Sequence, residues 1–200
     1  MSVDFTFALA GQSAGSDAIR QQLERELKEL GYRRSPDEIP VGFDRTRGVF
    51  DEVEGGIGDE PACGWAVEYD KDGCTLYLLV ALHRDGYVNA FVDVSGRTLE
   101  RLVQEGALSI LLAAVGAAAM ATHTVGGFGT FELPFEPIPP TKILQCIAAI
   151  PHELSVPALL GLVSAEAMSE ETVRATFGPA FEVKPWTRGY WLLEHEDLRD

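Results

Sequence analysis

A G-x-S-x-G pattern lies near the start of the chain, at Gly11-Gln12-Ser13-Ala14-Gly15. It falls between a predicted strand and a predicted helix, where α/β-hydrolases place their nucleophilic serine. Such an enzyme also builds part of its oxyanion hole from an earlier strand and loop, and only twelve residues precede Ser13. The later His152 and His195 occur in no pattern that identifies a general base. A turn of small residues leading into a helix explains the pattern, so Ser13 is kept only as an alternative site for a small serine hydrolase or a ligand-binding protein.

Phosphate chemistry has weak support in the sequence. Residues 70–75, Asp-Lys-Asp-Gly-Cys-Thr, resemble the D-x-D-x-T motif of aspartyl-phosphate phosphatases, but Cys74 replaces the threonine and a strand follows instead of a loop and helix. A hairpin turn accounts for these residue types. The glycine clusters at 55–58 and 126–129 lack the G-K-[ST] ending or the G-x-G-x-x-G spacing of phosphate loops.

Metal and cofactor sites are not predicted. The four histidines form no H-E-x-x-H motif, and the three cysteines form no C-x-x-C motif. Asp51, Glu52 and Glu54 are able to hold Ca²⁺ or Mg²⁺ weakly, although a solvated acidic surface is the better interpretation. We therefore expect neither a metal nor a cofactor.

Three runs of strand-forming residues between Cys63 and Val94 predict an antiparallel meander. The Asp72-Gly73 and Asp85-Gly86 steps separate the runs. Asp-Gly between alternating hydrophobic residues is a strong hairpin signal, because glycine accepts the positive φ of tight turns. These turns would hold the three strands side by side.

Turn length sets the register of this meander. A two-residue turn pairs Lys71 with Cys74, and a three-residue turn pairs His83 with Tyr87, which gives one uniformly apolar face. The opposite face mixes carboxylates with aromatic and amide side chains: Glu68, Asp70, Tyr77, Tyr87, Asn89, Phe91 and Asp93. That composition suits contact with a partner; a solvated face, or one covered by another helix, is the alternative.

A long helix is predicted to follow the meander, beginning after Ser95 or Gly96. Residues 107–122 contain no charge. Sixteen helical residues span only about 24 Å, which is less than the hydrocarbon core of a membrane. We therefore expect a buried central helix and no membrane span.

The predicted fold class is α+β: a three-stranded meander plus an N-terminal strand at 3–9, packed by the long apolar helix, with a smaller and mostly helical C-terminal lobe. A helix is expected from Ser16 to near Gly31. Residues 35–62 are predicted to form a long acidic loop, which short edge strands at 41–43 and 49–50 could attach to the body of the protein. The division is 1–122 for the core, 123–140 for a Gly/Pro-rich strap and 141–200 for the lobe; one continuous domain is the alternative.

Within the C-terminal lobe, helix starts are predicted at Thr141, Ser155 and Ser169. A hairpin is expected to join 181–183 to 190–193.

Charge directs the functional hypothesis. Thirty-one acidic and sixteen basic residues leave a formal charge of −15, which repels nucleic acid and anionic membranes. We expect a binding module that occludes or sequesters a basic protein partner, as an inhibitor or immunity-type protein does; the sequence leans against catalytic activity but leaves it undecided. Its contacts would be the carboxylate-bearing sheet face together with acidic residues of the long loop: Asp44, Asp51, Glu52 and Glu54.

The N-terminus has no signal-peptide pattern and the cysteine number is odd, so a reduced cytoplasmic location is expected. The sequence leaves the oligomeric state open.

Overall fold

The computed structural model describes residues 4–52, 62–153, 159–186 and 189–195. Within them, ten antiparallel strands form one sheet. The strands are β1 (Asp4–Gln12), β2 (Arg33–Asp44), β3 (Val49–Glu52), β4 (Ala62–Lys71), β5 (Cys74–His83), β6 (Tyr87–Ser95), β7 (Thr124–Phe131), β8 (Leu160–Ser164), β9 (Phe181–Trp186) and β10 (Tyr190–His195). Their spatial order is β3-β2-β4-β5-β6-β1-β7-β8-β10-β9, so β1 lies near the centre.

Five helices pack on the two faces of the sheet: α1 (Ser16–Glu29), α2 (Gly96–Gln104), α3 (Ser109–Ala121), α4 (Pro140–Glu153) and α5 (Glu170–Phe177). The main core joins α1, α2 and α3 to one face. On the other face, α4 and α5 cover the C-terminal strands. Residues 132–139, here called the covering segment, contribute Leu133, Phe135 and Ile138 to a third cluster over the middle of that face.

The α+β composition of the chain is confirmed, but the predicted architecture is wrong. A ten-stranded sheet replaces the three-stranded meander with its N-terminal strand. The C-terminal region contributes β8, β9 and β10 to this sheet, so a mostly helical lobe is also wrong. Strands from all three predicted segments join the one sheet; their division into domains stays a prediction.

The register predicted for the meander matches the structure. Lys71 pairs with Cys74 across the first turn. Leu78 pairs with Val92 on the third strand, so the apolar residues share a face. That face packs against α1, α2 and α3.

The single long helix is wrong, because the chain breaks between α2 and α3. The two helices meet at 119°, and Gly106 takes a φ of 65° in the break. The start is as expected: the Ser95 side chain accepts a hydrogen bond from the Thr98 N–H. Among the described helices, no single one is long and apolar enough to cross a membrane, and α2 with α3 meets those criteria only as a bent pair.

The long acidic loop is also partly wrong, because β2 and β3 occupy much of 35–62. The strands considered at 41–43 and 49–50 are present and pair with each other. Residues 53–61 lie outside the described residues. Pro40 is accommodated because β3 pairs with residues 41–44 of β2, so that among the described residues no strand pairs with this side of β2 at Pro40.

The predictions for the C-terminal region are confirmed in part and wrong in part. The predicted hairpin is confirmed by the pairing of β9 with β10, and Ser169 caps α5 by accepting from the Thr172 N–H. The predicted helix start at Ser155 lies outside the described residues, and residues 160–164 form β8 instead of a helix.

Candidate binding face

A row of polar side chains crosses four strands on the face opposite α1–α3. Glu68 of β4 pairs with Tyr77 of β5, Tyr77 pairs with Asp93 of β6, and Asp93 pairs with Thr6 of β1. Alternation along a strand puts every second residue on this face. Asp4 therefore shares it with Thr6.

A second row lies two residues further along the same strands. Asp70 pairs with Thr75, and Asp4 pairs with Ser95. Glu132 joins them just after β7, where its N–H donates to the Asp4 backbone oxygen at 2.9 Å. We name these five acids, Asp4, Glu68, Asp70, Asp93 and Glu132, the carboxylate face.

A pocket of about 490 Å³ opens between this face and the covering segment. Its lining consists of Asp4, Thr6, Tyr77, Asp93, Glu132, Leu133, Pro134 and Phe135. The rings of Tyr77 and Phe135 stack with centroids 6.3 Å apart. Three carboxylates and an aromatic pair thus surround one cavity, which is a composition that suits a cation.

Asp93 is the most perturbed acid of the pocket. Its burial raises the pKa to about 6, the hydrogen bond from Thr6 opposes the rise, and the nearby charge of Asp4 adds to it. Thr6 Oγ1 donates to Asp93 Oδ1 at 2.5 Å. The carboxylate is therefore mostly ionised at neutral pH, at a cost in free energy that a bound cation would reduce.

Several carboxylates elsewhere on the surface form ion pairs within the chain. Arg20 and Arg34 both bind Glu38, each at 2.5 Å, and Lys184 binds Glu194 at 2.6 Å. On the carboxylate face, by contrast, no Lys or Arg of the described ranges forms an ion pair. The exposed Arg33 lies in register across from Asp70, although no ion pair joins the two among the described residues.

The predicted contact residues of the meander fall into two groups. Glu68 and Asp70 are exposed, and Tyr77 and Asp93 are half-buried beside the pocket. The other three lie beneath or beside the chain's own packing: Tyr87 stacks on His83, and Asn89 and Phe91 are fully buried.

Two predicted contact residues of the acidic loop, Asp44 and Asp51, do not line the pocket. Asp44 and Asp51 both pair with Arg47 at the β2–β3 turn. The side chain of Glu52 and the whole of Glu54 lie outside the described residues.

Sequence reasoning missed six of the eight pocket residues: Asp4, Thr6, Glu132, Leu133, Pro134 and Phe135. Alternation in the predicted N-terminal strand puts Asp4 and Thr6 on one side, so pairing this strand with the third meander strand would have found them. For Glu132 and Phe135 the local sequence carries no such signal.

The Gly11–Gly15 turn lacks the arrangement of a nucleophile. The Ser13 hydroxyl accepts a hydrogen bond from the Gly15 N–H at 3.2 Å, and no histidine of the described residues is bonded to it. In the same described ranges, no group of three or more His, Cys, Asp or Glu side chains is arranged to hold a metal ion.

A larger cavity, about 590 Å³, opens at the other end of β1 beside His123 and Glu166. It contains a single carboxylate. Its Tyr190 hydroxyl already donates to the Ala119 oxygen at 3.2 Å, and burial, aided by Glu166, raises the Tyr190 pKa to about 12. Charged groups converge less in this cavity than in the smaller pocket.

Comparisons with known proteins add little. No family model matches the chain, and the curated proteins contain no significant match. One similar solved structure is that of the Trypanosoma brucei AdoMetDC-delta26 monomer, at 8% identity and a TM-score of 0.26, covering 96% of this chain and 62% of that one. The chain thus spans less than two thirds of that protein's length, and so low a TM-score carries no argument about fold or function.

Proposed function

We propose that this chain binds a basic protein partner through the carboxylate face and, by covering the partner's own functional surface, sequesters or inhibits it. The observation that carries the proposal is the pocket in which Asp4, Asp93 and Glu132 lie beside an aromatic pair. No Lys or Arg of the described part of the chain forms an ion pair there.

An arginine or lysine of the partner suits this pocket on two counts. Its cation meets carboxylates, and charge-assisted hydrogen bonds are stronger than neutral ones. Its planar group or methylene stem lies against the Tyr77 and Phe135 rings, and a cation over an aromatic ring contributes about 0.5–2 kcal/mol. The bound cation also favours ionised Asp93, so binding should weaken as the pH falls below about 6, the pKa of that carboxyl.

The rest of the chain supports the same role. A net charge of −15 attracts a basic partner over a distance and speeds encounter. The face is part of a sheet whose opposite side packs on three helices, so it is a rigid surface that needs little ordering on binding.

The partner can be sought by affinity capture from the native cell, and the site can be tested first with a fluorescein-labelled octa-arginine peptide. The triple variant Asp4→Asn, Asp93→Asn, Glu132→Gln should weaken peptide binding about 30-fold or more in fluorescence anisotropy. The variant removes the three pocket carboxylates that would pair with an arginine of the peptide. Rising salt should slow association.

A matched control keeps the same net charge. Asp17→Asn, Glu100→Gln and Glu171→Gln neutralise three exposed acids on helices, and this triple should change the peptide Kd less than about threefold. Equal weakening by both triples would mean that only net charge matters and would refute a site at the pocket.

A further inference from the structure

Asn89 is fully buried, and its amide is bonded on both sides. Its Nδ2 donates to the Ile138 backbone oxygen at 2.8 Å and to the Leu9 oxygen at 3.2 Å. Its Oδ1 accepts from the Ile138 N–H at 3.0 Å and lies 3.0 Å from His83 Nε2. One side chain of the sheet therefore holds both backbone groups of a residue in the covering segment.

We infer that Asn89 is a positioning residue for the carboxylate face: by binding Ile138 it holds the covering segment across the sheet and so places Phe135 and Glu132 at the wall of the pocket. The inference rests on the proposed function. It assigns Asn89 a role different from the direct contact that the sequence predicts.

The covering segment has few other attachments. Three of its eight residues are prolines, which have no N–H to donate. Its remaining described backbone bonds to the body of the sheet run from Glu132 N–H to Asp4 O at 2.9 Å and from Phe50 N–H to Phe135 O at 2.8 Å. The two bonds to Ile138 are therefore half of the four described hydrogen bonds that join this segment to the sheet, while the Pro139 oxygen accepts from the Lys142 and Ile143 N–H groups of α4.

The position of the covering segment determines the shape of the pocket and its exposure to water. Leu133, Pro134 and Phe135 line the pocket together with Asp93, and Phe135 also packs on Phe91 with ring centroids 5.2 Å apart. The other groups that line it are Asp4, Thr6, Tyr77 and Glu132. A segment that moves away would let water reach Asp93 and remove one half of the aromatic pair.

The test compares Asn89→Ala with Thr124→Val. The second variant removes a buried hydrogen bond to Thr122 at the far end of β7, away from the covering segment. Three measurements apply to each: hydrogen exchange at the Phe50 and Glu132 amides, the carboxyl ¹³C titration of Asp93 by NMR, and the Kd for the octa-arginine peptide.

Asn89→Ala should speed exchange at both amides at least about tenfold, because the Phe135 oxygen that accepts from the Phe50 N–H and the Glu132 N–H itself both move with the segment. It should lower the pKa of Asp93 toward the ordinary value of an aspartate and weaken peptide binding about tenfold, since the pocket loses its wall. Thr124→Val should leave all three unchanged, although it also removes a buried bond.

Each result decides something. Protected amides, or a peptide Kd unchanged in a variant whose amides exchange fast, overturn the positioning role and leave the proposed function standing. Absent binding by the unaltered chain overturns the proposed function, while the exchange and titration measurements still decide whether Asn89 holds the segment. If Asn89→Ala does not fold, Ile138→Pro removes the N–H that donates to Asn89 Oδ1 without changing a residue of the sheet. Ile138→Ala, which keeps this N–H, controls for the loss of the side chain that packs on the sheet, and the same outcomes apply.

Discussion

Replacing Asp93 by asparagine should stabilise the protein at neutral pH. The asparagine keeps an oxygen that accepts the Thr6 hydrogen bond, but it has no charge to desolvate. Burial raises the pKa of Asp93 from 3.8 to about 6. A folded-state pKa above the unfolded value means that folding favours the protonated form of Asp93. The contribution of this protonated carboxyl to stability is therefore full below pH 3.8 and is lost as the pH rises to about 6.

The magnitude follows from the shift in the pKa. About two pH units correspond to roughly 3 kcal/mol between the protonation states. Because Asp93 is only partly buried, solvent screening reduces the figure to about 1–2 kcal/mol. The change in unfolding free energy caused by Asp93→Asn should therefore be more favourable at pH 7.5 than at pH 4 by about 1–2 kcal/mol.

Urea unfolding at pH 4, 5, 6 and 7.5 measures this difference. The control is Glu100→Gln on α2, which removes one exposed negative charge and so reports the general effect of lowering the net charge of −15. If the two variants show the same pH dependence, Asp93 carries no desolvation cost and the reasoning fails.

Three further changes test neighbouring features. Thr6→Val should raise the pKa of Asp93 further in an NMR titration, because the hydrogen bond that favours the ionised form is lost. His83→Gln should make the free energy of unfolding less sensitive to acid. Burial lowers the pKa of His83 in the folded state, so folding favours the neutral ring. This contribution to stability is full above pH 6.5 and is lost as the pH falls through the lower folded-state pKa. Calorimetric Tm values at pH 7.5 and 5 check this, and an unchanged slope would contradict it. Gly64→Ala should cost more than about 3 kcal/mol, or prevent folding, because its Cβ would lie 1.7 Å from a backbone oxygen of β5; a urea midpoint close to that of the unaltered chain would contradict it.

The meander register was open to prediction because it depends on local features. The two Asp-Gly turns fix which residues pair, and one choice keeps carboxylates off the apolar face. Asp72 takes a φ of 50° and Gly73 one of 74°, which gives the tight turn that pairs Lys71 with Cys74. Local turn chemistry and burial pattern agree there, so the sequence suffices.

β7 was missed because its composition is typical of a loop. Its glycines are required by the neighbouring strand. A Cβ on Gly127 would lie 2.6 Å from the Ala8 oxygen, and one on Gly129 would lie 2.5 Å from the Phe5 ring. The large side chains of β1 fill the space above these glycines, and a contact between residues so distant in sequence leaves no local signal.

The predicted face is open to solvent in one half and covered by the chain in the other, and this difference also depends on contacts between residues distant in the sequence. Alternation correctly put Tyr77, Asn89, Phe91 and Asp93 on one side of the sheet. It contains no information about the proline-rich residues 132–139, which lie more than forty positions from Asn89 and cover Phe91. Which half faces solvent depends on that segment, and therefore on tertiary structure alone.

The covering segment connects the stability of the fold to the proposed binding. It buries Phe91 and half of Tyr77, which stabilises the sheet, and the same packing desolvates Asp93 at a cost. A lysine inside the chain could have offset that cost, as Lys184 does for Glu194. No such pair forms in the described residues, so a cation from a partner would offset the cost of desolvating Asp93. This is the physical reason for proposing a basic ligand at the pocket.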